Sequence, residues 1–363
     1  MPRSHNFSGG PGALPDSVLE ETQAAIRQAP GTALSLLGLS HRSPWFDSVI
    51  NEAEAHFRAL LNLPSDYHVL FLQGGSTLQF AQIPMTLLRS GGAAADYLHT
   101  GYWSGKSLPE AQRQGPTRIV WSGEGQGFRR LPKDEELPFC GEAPYLHYVS
   151  NETVEGLQFH RILGRDDVCR ICDMSSDFLS RPIEVSRFGL IYAHAQKNLG
   201  PSGVTVVIVR DDIVRQVPDG LPSMLDYRCH VGARSVYNTP PVFAIYVTML
   251  VARWLRHEIG GLERMGGLNA AKAARLYAAI DGSGGYYRAR AAAPDRSQMN
   301  VVFNLPTAAD DARFLRVAEA AGFYGLEGHR TLGGIRASIY NAVTPESVDA
   351  LIGFMRDFQG REG

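Results

Sequence analysis

Between residues 67 and 210 the chain alternates two kinds of pattern. Short apolar runs occupy 67–72, 95–100, 117–121, 145–150, 168–173, 190–195 and 204–209, and they are continuous where a half-exposed strand would alternate. Continuity of that kind marks strands covered on both faces, so the runs predict a mostly parallel seven-stranded sheet in an α/β fold with helices on both faces. Between the strands, 44–62 carries Phe46, Val49, Ile50, Ala53, Phe57, Leu60 and Leu61 at helical spacing. The segments 77–89 and 104–114 read as further helices. Past residue 209 the texture changes. Long helical patterns at 240–256 and 261–280 lead into strands near 299–304 and 334–338. Thr344, Pro345 and Glu346 then supply a cap, a first-turn proline and a first-turn acid ahead of Val348, Leu351, Ile352 and Met355. The last ~100 residues read as a smaller α+β domain.

Composition narrows the classes. A length of 363 residues favours about two domains, and 44% hydrophobic with 20% charged residues is ordinary for a soluble globular protein. A net charge of −2 offers no overall basic character to nucleic acid or an anionic membrane, so an acidic ligand has to be met locally. The uncharged stretches 69–88 and 235–252 are long enough to span a bilayer but carry polar residues, Gly or Pro throughout, and 1–15 lacks the apolar region of a signal peptide. A cytoplasmic enzyme is the expectation. Four cysteines do not make a disulfide framework. Cys169 and Cys172 form a CxxC within a run read as a buried strand, where residues three apart face opposite ways, so no metal site is expected.

In a parallel sheet, ligands gather at the carboxyl ends of the strands, and the residues after each run form an unusual set. Gly74, Gly75, Ser76 and Thr77 follow the first run and offer N–H groups, hydroxyls and a helix dipole to a phosphate, although Gly-Gly-Ser is also an ordinary turn. Gly101, Tyr102 and Trp103 follow the second, where Trp103 can stack on a flat ring or pack the core. Asn151, Glu152 and Thr153 follow the fourth. Asp173 closes the fifth, where a buried carboxylate calls for a cationic partner. Lys197 follows the sixth, just before a Gly-Pro turn. Pyridoxal phosphate makes sense of the set: it needs a lysine for its aldehyde, a carboxylate for its pyridine nitrogen, a flat side chain over its ring and a phosphate cup.

The segments Asn6-Phe-Ser-Gly-Gly-Pro11, Ser40-His-Arg-Ser43, Phe71-Leu-Gln-Gly-Gly75 with Gln79-Phe80, Gly101-Tyr-Trp103, Asn151-Glu-Thr153 and Ser180-Arg-Pro182 add a resemblance. So do Ala195-Gln-Lys-Asn198, Tyr237-Asn-Thr-Pro-Pro241, Gly328-His-Arg330 and Gly334-Ile-Arg-Ala-Ser-Ile-Tyr-Asn341. In order and over essentially the whole chain, these resemble the phosphoserine aminotransferase family, class V enzymes of fold type I that use pyridoxal 5'-phosphate. The resemblance implies an N-terminal segment 1–15 packing with the small domain and the site, a cofactor domain 16–260 and a small domain 261–363. It implies that Lys197 bonds the cofactor, Asp173 pairs with its ring nitrogen, Trp103 stacks on the ring and Thr153 bonds beside the ring hydroxyl. Ser76, Thr77 and Gln196 would take the phosphate, with Asn238 and Thr239 reaching it from the second subunit of a homodimer with shared sites.

Substrate recognition would fall to His41, Arg42, His329, Arg330 and Arg336, since phosphoserine, glutamate and 2-oxoglutarate are anions suited to guanidinium forks. Arg336 is assigned the α-carboxylate and the other four the distal anion. The implied reaction moves an amino group between phosphoserine and 2-oxoglutarate in serine biosynthesis, and the same pocket would admit 4-phosphohydroxy-L-threonine from pyridoxine biosynthesis. Some family members carry Ser where this chain has Gly9 and Arg where it has Thr77. His194 and Cys172 read as packing residues. Three readings compete: an alanine–glyoxylate aminotransferase, a cysteine desulfurase and a non-catalytic phospholigand-binding protein. The first needs no His-Arg pairs, the second needs a loop cysteine that none of Cys140, Cys169, Cys172 or Cys229 evidently supplies, and the third has no use for Lys197.

Overall fold

The computed structural model describes residues 4–138, 141–164 and 167–362, so Cys140 lies outside the described residues. The chain opens with two helices, α1 (Asp16–Arg27) and α2 (Pro44–Leu61). Local sequence accounts for α2. Ser43 caps it by accepting the Phe46 N–H at 3.3 Å, Pro44 enters with φ preset, and Asn62 ends it in the left-handed region at φ 48°. Its buried face, Phe46, Val49, Ile50, Ala53, Phe57 and Leu61, follows the helical repeat. The larger of these side chains contribute about 1.5–3 kcal/mol each on leaving water.

The seven apolar runs become β1 (Tyr67–Leu72), β2 (Ala95–His99), β3 (Thr117–Ser122), β4 (Leu146–Val149), β5 (Arg170–Asp173), β6 (Leu190–His194) and β7 (Thr205–Arg210). They form one sheet in the order β1-β7-β6-β5-β4-β2-β3, parallel throughout except that β7 runs antiparallel to both neighbours. Successive residues serve opposite cores. Val69, Phe71, Val206 and Ile208 pack with α2 and the helix α5 (Val242–Trp254). Leu70, Leu72, Val207 and Val209 pack with α3 (Gly75–Leu87) and α4 (Tyr102–Gln112). Cys172 lies in the first core and Cys169 packs against the second, so the two thiols of the CxxC face opposite sides.

One expectation fails at β3. This outer strand is not covered on both faces: Ile119 is 46% exposed, and Arg118 reaches across to grip Asp96 of β2 at 2.9 and 2.8 Å. Among the described residues, no helix is long and apolar enough to cross a membrane.

A third core gathers Phe7, Leu276, Phe303, Phe314, Val348, Leu351 and Met355. Around it lie α6 (Leu262–Asp281), the antiparallel strands β8 (Asn300–Asn304) and β9 (Ile335–Ser338), and a final helix, Pro345–Glu362. Thr344 caps that helix, its hydroxyl accepting the Ser347 N–H at 3.2 Å. His5–Asn6 pairs in parallel with Phe323–Tyr324, which ties the N-terminus to this core.

Candidate active site

Every strand of the sheet except the reversed β7 and the outer β3 delivers something to one end. Past β1, Gly74 and Gly75 turn the chain at φ 89° and 68°, values that favour glycine, and a Cβ on Gly74 would come within 2.8 Å of Leu78. The turn lets α3 begin at once, leaving the N–H groups of its first residues free for an anion. Past β5 and β6 stand Asp173, Ser175, Gln196 and Lys197. With Gly75, Ser76, Thr77, Trp103 and His194, these line a cavity of about 190 Å³.

Lys197 Nζ donates to the Thr153 hydroxyl at 2.7 Å and lies 5.1 Å from the centre of the Trp103 ring. Burial pulls its pKa down to about 8, the Asp173 charge opposing and the Arg336 charge adding to the fall. Asp173 accepts the Ser175 N–H at 2.8 Å. Burial raises its pKa, and the Lys197 charge works the other way. Across the cavity, the Ser76 and Ser175 hydroxyls are 2.8 Å apart.

His194, read as near the site and packing the strands, lines the cavity wall with Nδ1 3.1 Å from the Thr205 hydroxyl of the adjacent β7. Alternation explains this: on β6, His194 points away from the core that takes Ala193. Cys172 does pack the core.

The sequence reading also missed what holds Trp103. Helix α4 begins at Tyr102, two residues before the expected start, and Gly101 gives its first amides no side-chain acceptor. Two buried acids supply one instead. Glu152 accepts the N–H groups of Trp103 and Ser104, each at 3.0 Å, and Glu155 accepts that of Tyr102 at 3.0 Å. A Cβ on Gly101 would come within 2.7 Å of the Glu155 carboxyl carbon and 2.8 Å of that of Glu152. Burial and the Glu152 charge push the Glu155 pKa up to about 8, so the pair holds a proton at neutral pH. A glycine at a helix start with no capping side chain was the available signal.

Next to this corner, the rings of Tyr102 and His329 lie 4.6 Å apart between centres. Burial lowers the His329 pKa, and the charges of Arg336 and Arg330 lower it further, so a neutral imidazole stands beside two guanidinium charges. Arg336, on β9, is half-buried and its Nε has no hydrogen-bond partner. Gly9 packs against its guanidinium, where a Cβ would come within 2.6 Å of Cζ. Four expected residues stand apart from the cavity in this chain. His41 and Arg42 precede α2, Arg42 being exposed. Asn238 donates to Gln73 at 3.1 Å, and the Thr239 carbonyl accepts from Gln73 at 2.7 Å.

A free amine over an aromatic ring, a buried carboxylate, an anion-binding helix start and a nearby guanidinium suit a phosphorylated, aldehyde-bearing cofactor and an acidic substrate. A model of the aminotransferase class-V family matches residues 4–351, and the chain belongs to that family. Within it, the chain is 48% identical over 361 residues to the phosphoserine aminotransferase of Niallia circulans, covering 99% of each. Its fold is similar to the solved phosphoserine aminotransferase from Bacillus circulans subsp. alkalophilus, at TM-score 0.96 and 48% identity, with 99% of both chains covered. The solved phosphoserine aminotransferase of Trichomonas vaginalis, described as bound to pyridoxal phosphate, matches at TM-score 0.89 and 35% identity, covering 98% of this chain and 100% of that one. Among class-V aminotransferases the chain thus falls with the phosphoserine aminotransferases.

Proposed function

We propose that this chain transfers an amino group reversibly between L-phosphoserine and 2-oxoglutarate, giving 3-phosphohydroxypyruvate and L-glutamate, with pyridoxal 5'-phosphate in the cavity of Lys197. The observation that carries this reading is the placing of Lys197, Asp173, Trp103 and the start of α3 around one small cavity, with Arg336 adding its charge to that of Lys197. The residues fit the cofactor: α3 offers amides and the Ser76 and Thr77 hydroxyls to a phosphate, Gln196 stands beside them, Trp103 presents a ring face, and Asp173 has a buried carboxylate for a protonated ring nitrogen. Bound there, the cofactor supplies the electron sink that makes a substrate Cα–H acidic.

The chain's own groups do the rest. Lys197 Nζ takes the proton from substrate Cα and holds it for return, a task suited to an amine with a pKa of about 8. Thr153 aims that amine, and the Glu152–Glu155 pair fixes the helix start that carries Trp103. Arg336, with Nε unpaired, takes the α-carboxylate, while His329 and Arg330 draw the distal phosphate or carboxylate. The same positive group accepts 4-phosphohydroxy-L-threonine.

The working unit is a cytoplasmic homodimer, its second subunit bringing His41, Arg42, Asn238 and Thr239 to the cavity they miss within one chain. The segments bearing them expose Leu34, Leu37 and Tyr237 at 57%, 66% and 46%, apolar surface that a second copy would cover.

The visible spectrum of the purified holoenzyme tests the reading. Phosphoserine is expected to move the cofactor band into the near ultraviolet, and 2-oxoglutarate to restore it. A response to alanine or cysteine alone would transfer the chain to another class-V activity, and no band after adding the cofactor would leave a binding protein.

A further inference from the structure

On α6, Lys272 is 1% exposed, and its Nζ donates to three main-chain carbonyls: Ile339 at 3.0 Å, Tyr340 at 2.8 Å and Val343 at 2.8 Å. That uses every proton an ammonium has. No carboxylate among the described residues pairs with it. The charge that bears on it is that of Arg275, one turn along α6 and itself tied to Asp349 at 2.7 Å. Burial and Arg275 pull the Lys272 pKa down to about 7, while three carbonyl dipoles favour the charged form. A charge met only by a cup of carbonyl oxygens is the arrangement that replaces the water shell of a monovalent cation.

All three carbonyls belong to the turn 339–343, which follows β9 and so follows Arg336. The turn reaches the cavity by two routes. Asn341 donates its N–H to Asn198 Oδ1 at 2.9 Å, next to Lys197, and is braced by Asn269 of α6 at 2.8 Å. The Tyr340 hydroxyl donates to the Gly9 carbonyl at 2.9 Å, and Gly9 packs on Arg336. The Tyr340 ring also closes on Gly12, whose N–H donates to the Gln196 carbonyl at 2.8 Å.

We propose that Lys272 is a positioning residue for amino transfer: its ammonium gathers the turn 339–343 as a bound monovalent cation would, and the turn holds Lys197 and Arg336 in register. The proposal rests on the roles given above to those two residues. Emptied of its lysine, the cup becomes a site for potassium or a small alkylammonium ion.

The test compares Lys272→Ala with wild type as holoenzymes at neutral pH, in sodium, potassium, methylammonium or tetramethylammonium chloride at one ionic strength. It reads kcat, KM for phosphoserine and the circular dichroism of the cofactor band. In sodium or tetramethylammonium, kcat/KM is expected to fall about ten- to a hundredfold with a weaker dichroic band, as small displacements of reacting groups cost rate. Potassium or methylammonium should restore most of both, saturably. Lys272→Met, which fills the cup without charge, should show the same fall and no rescue. Kinetics within about twofold of wild type in either variant, or a loss that no cation relieves while the dichroism stays intact, overturns the proposal. If Lys272→Ala folds in none of the salts, Asn198→Ala decides, because it cuts the link from the turn and leaves the ammonium in place. A fall in its kcat with an unchanged urea midpoint supports the proposal, and wild-type kinetics refute it. A wild-type band that ignores phosphoserine would instead sink the functional reading.

Discussion

Lys197 and Lys272 both lose hold of their proton through burial, to about 8 and about 7, yet the surroundings separate them completely. Lys197 opens on a cavity of about 190 Å³, meets one hydroxyl, and has Asp173 to offset its charge. Lys272 meets three carbonyls with all its protons and is closed off from solvent. A shifted pKa marks both as candidates for chemistry. Spare hydrogen-bonding capacity and room for a second molecule decide which of them reacts.

Removing each amine should break the symmetry of that comparison in opposite directions. Lys197→Ala is expected to lower kcat by at least about 10³-fold, read by glutamate formation from phosphoserine-loaded enzyme, because it loses both the cofactor's bond and the proton carrier. Its urea midpoint should rise slightly, a buried ammonium having been removed.

Lys272→Met should show itself in the pH dependence of stability. With a folded pKa of about 7 against 10.5 unfolded, the folded chain keeps the cup-holding ammonium up to about neutral pH and gives up its proton above it, while the unfolded chain does not. As pH rises through that window, wild type therefore gains stability and the hold of Lys272 on the turn weakens. Urea titrations from pH 7 to pH 9.5 should show up to about 3 kcal/mol of such gain in wild type and its absence from the variant. Equal slopes would mean that Lys272 stays charged throughout.

Glu155 sharpens the comparison with the opposite sign. Its folded pKa of about 8 against 4.5 means that the folded chain alone holds this proton between the two, so stability falls as pH rises through that window. Glu155→Gln keeps an acceptor for the Tyr102 N–H and its urea midpoint should gain on that of wild type as pH rises from about 4.5 to about 8, the two converging near the lower value. A constant offset across the range would place the shared proton on Glu152.

What was legible in the sequence followed from local pattern. Each apolar run contains or borders a strand, because a strand buried on both faces must be apolar at every position, and α2 was bounded by Ser43 and Asn62. The short pairing of His5–Asn6 with Phe323–Tyr324 was not, since its partner lies over 300 residues away and two-residue strands carry no periodicity. The exposure of β3 depends on sheet order, which the run 117–121 does not encode. At the site, the residues placed directly after strand ends, Ser76, Thr77, Trp103, Asp173, Gln196 and Lys197, meet at one cavity. His41, Arg42, Asn238 and Thr239 do not reach it within one chain. The capping work of Glu152 and Glu155, like the cup around Lys272, arises from contacts between segments about 50 to 70 residues apart and leaves no mark on local spacing.

The one reversed strand has a mechanical consequence. Because β7 runs back beside β6, the segment carrying Lys197 is a hairpin loop, laced by the Ala195 N–H on the Val204 carbonyl at 3.0 Å. In a parallel unit the same segment would leave the sheet for a crossover helix and be anchored at one end only. Here it hangs from two adjacent interior strands. Any swing of the amine during turnover works against two fixed posts, so the lysine behaves as a tethered arm with a short stroke and one place of rest.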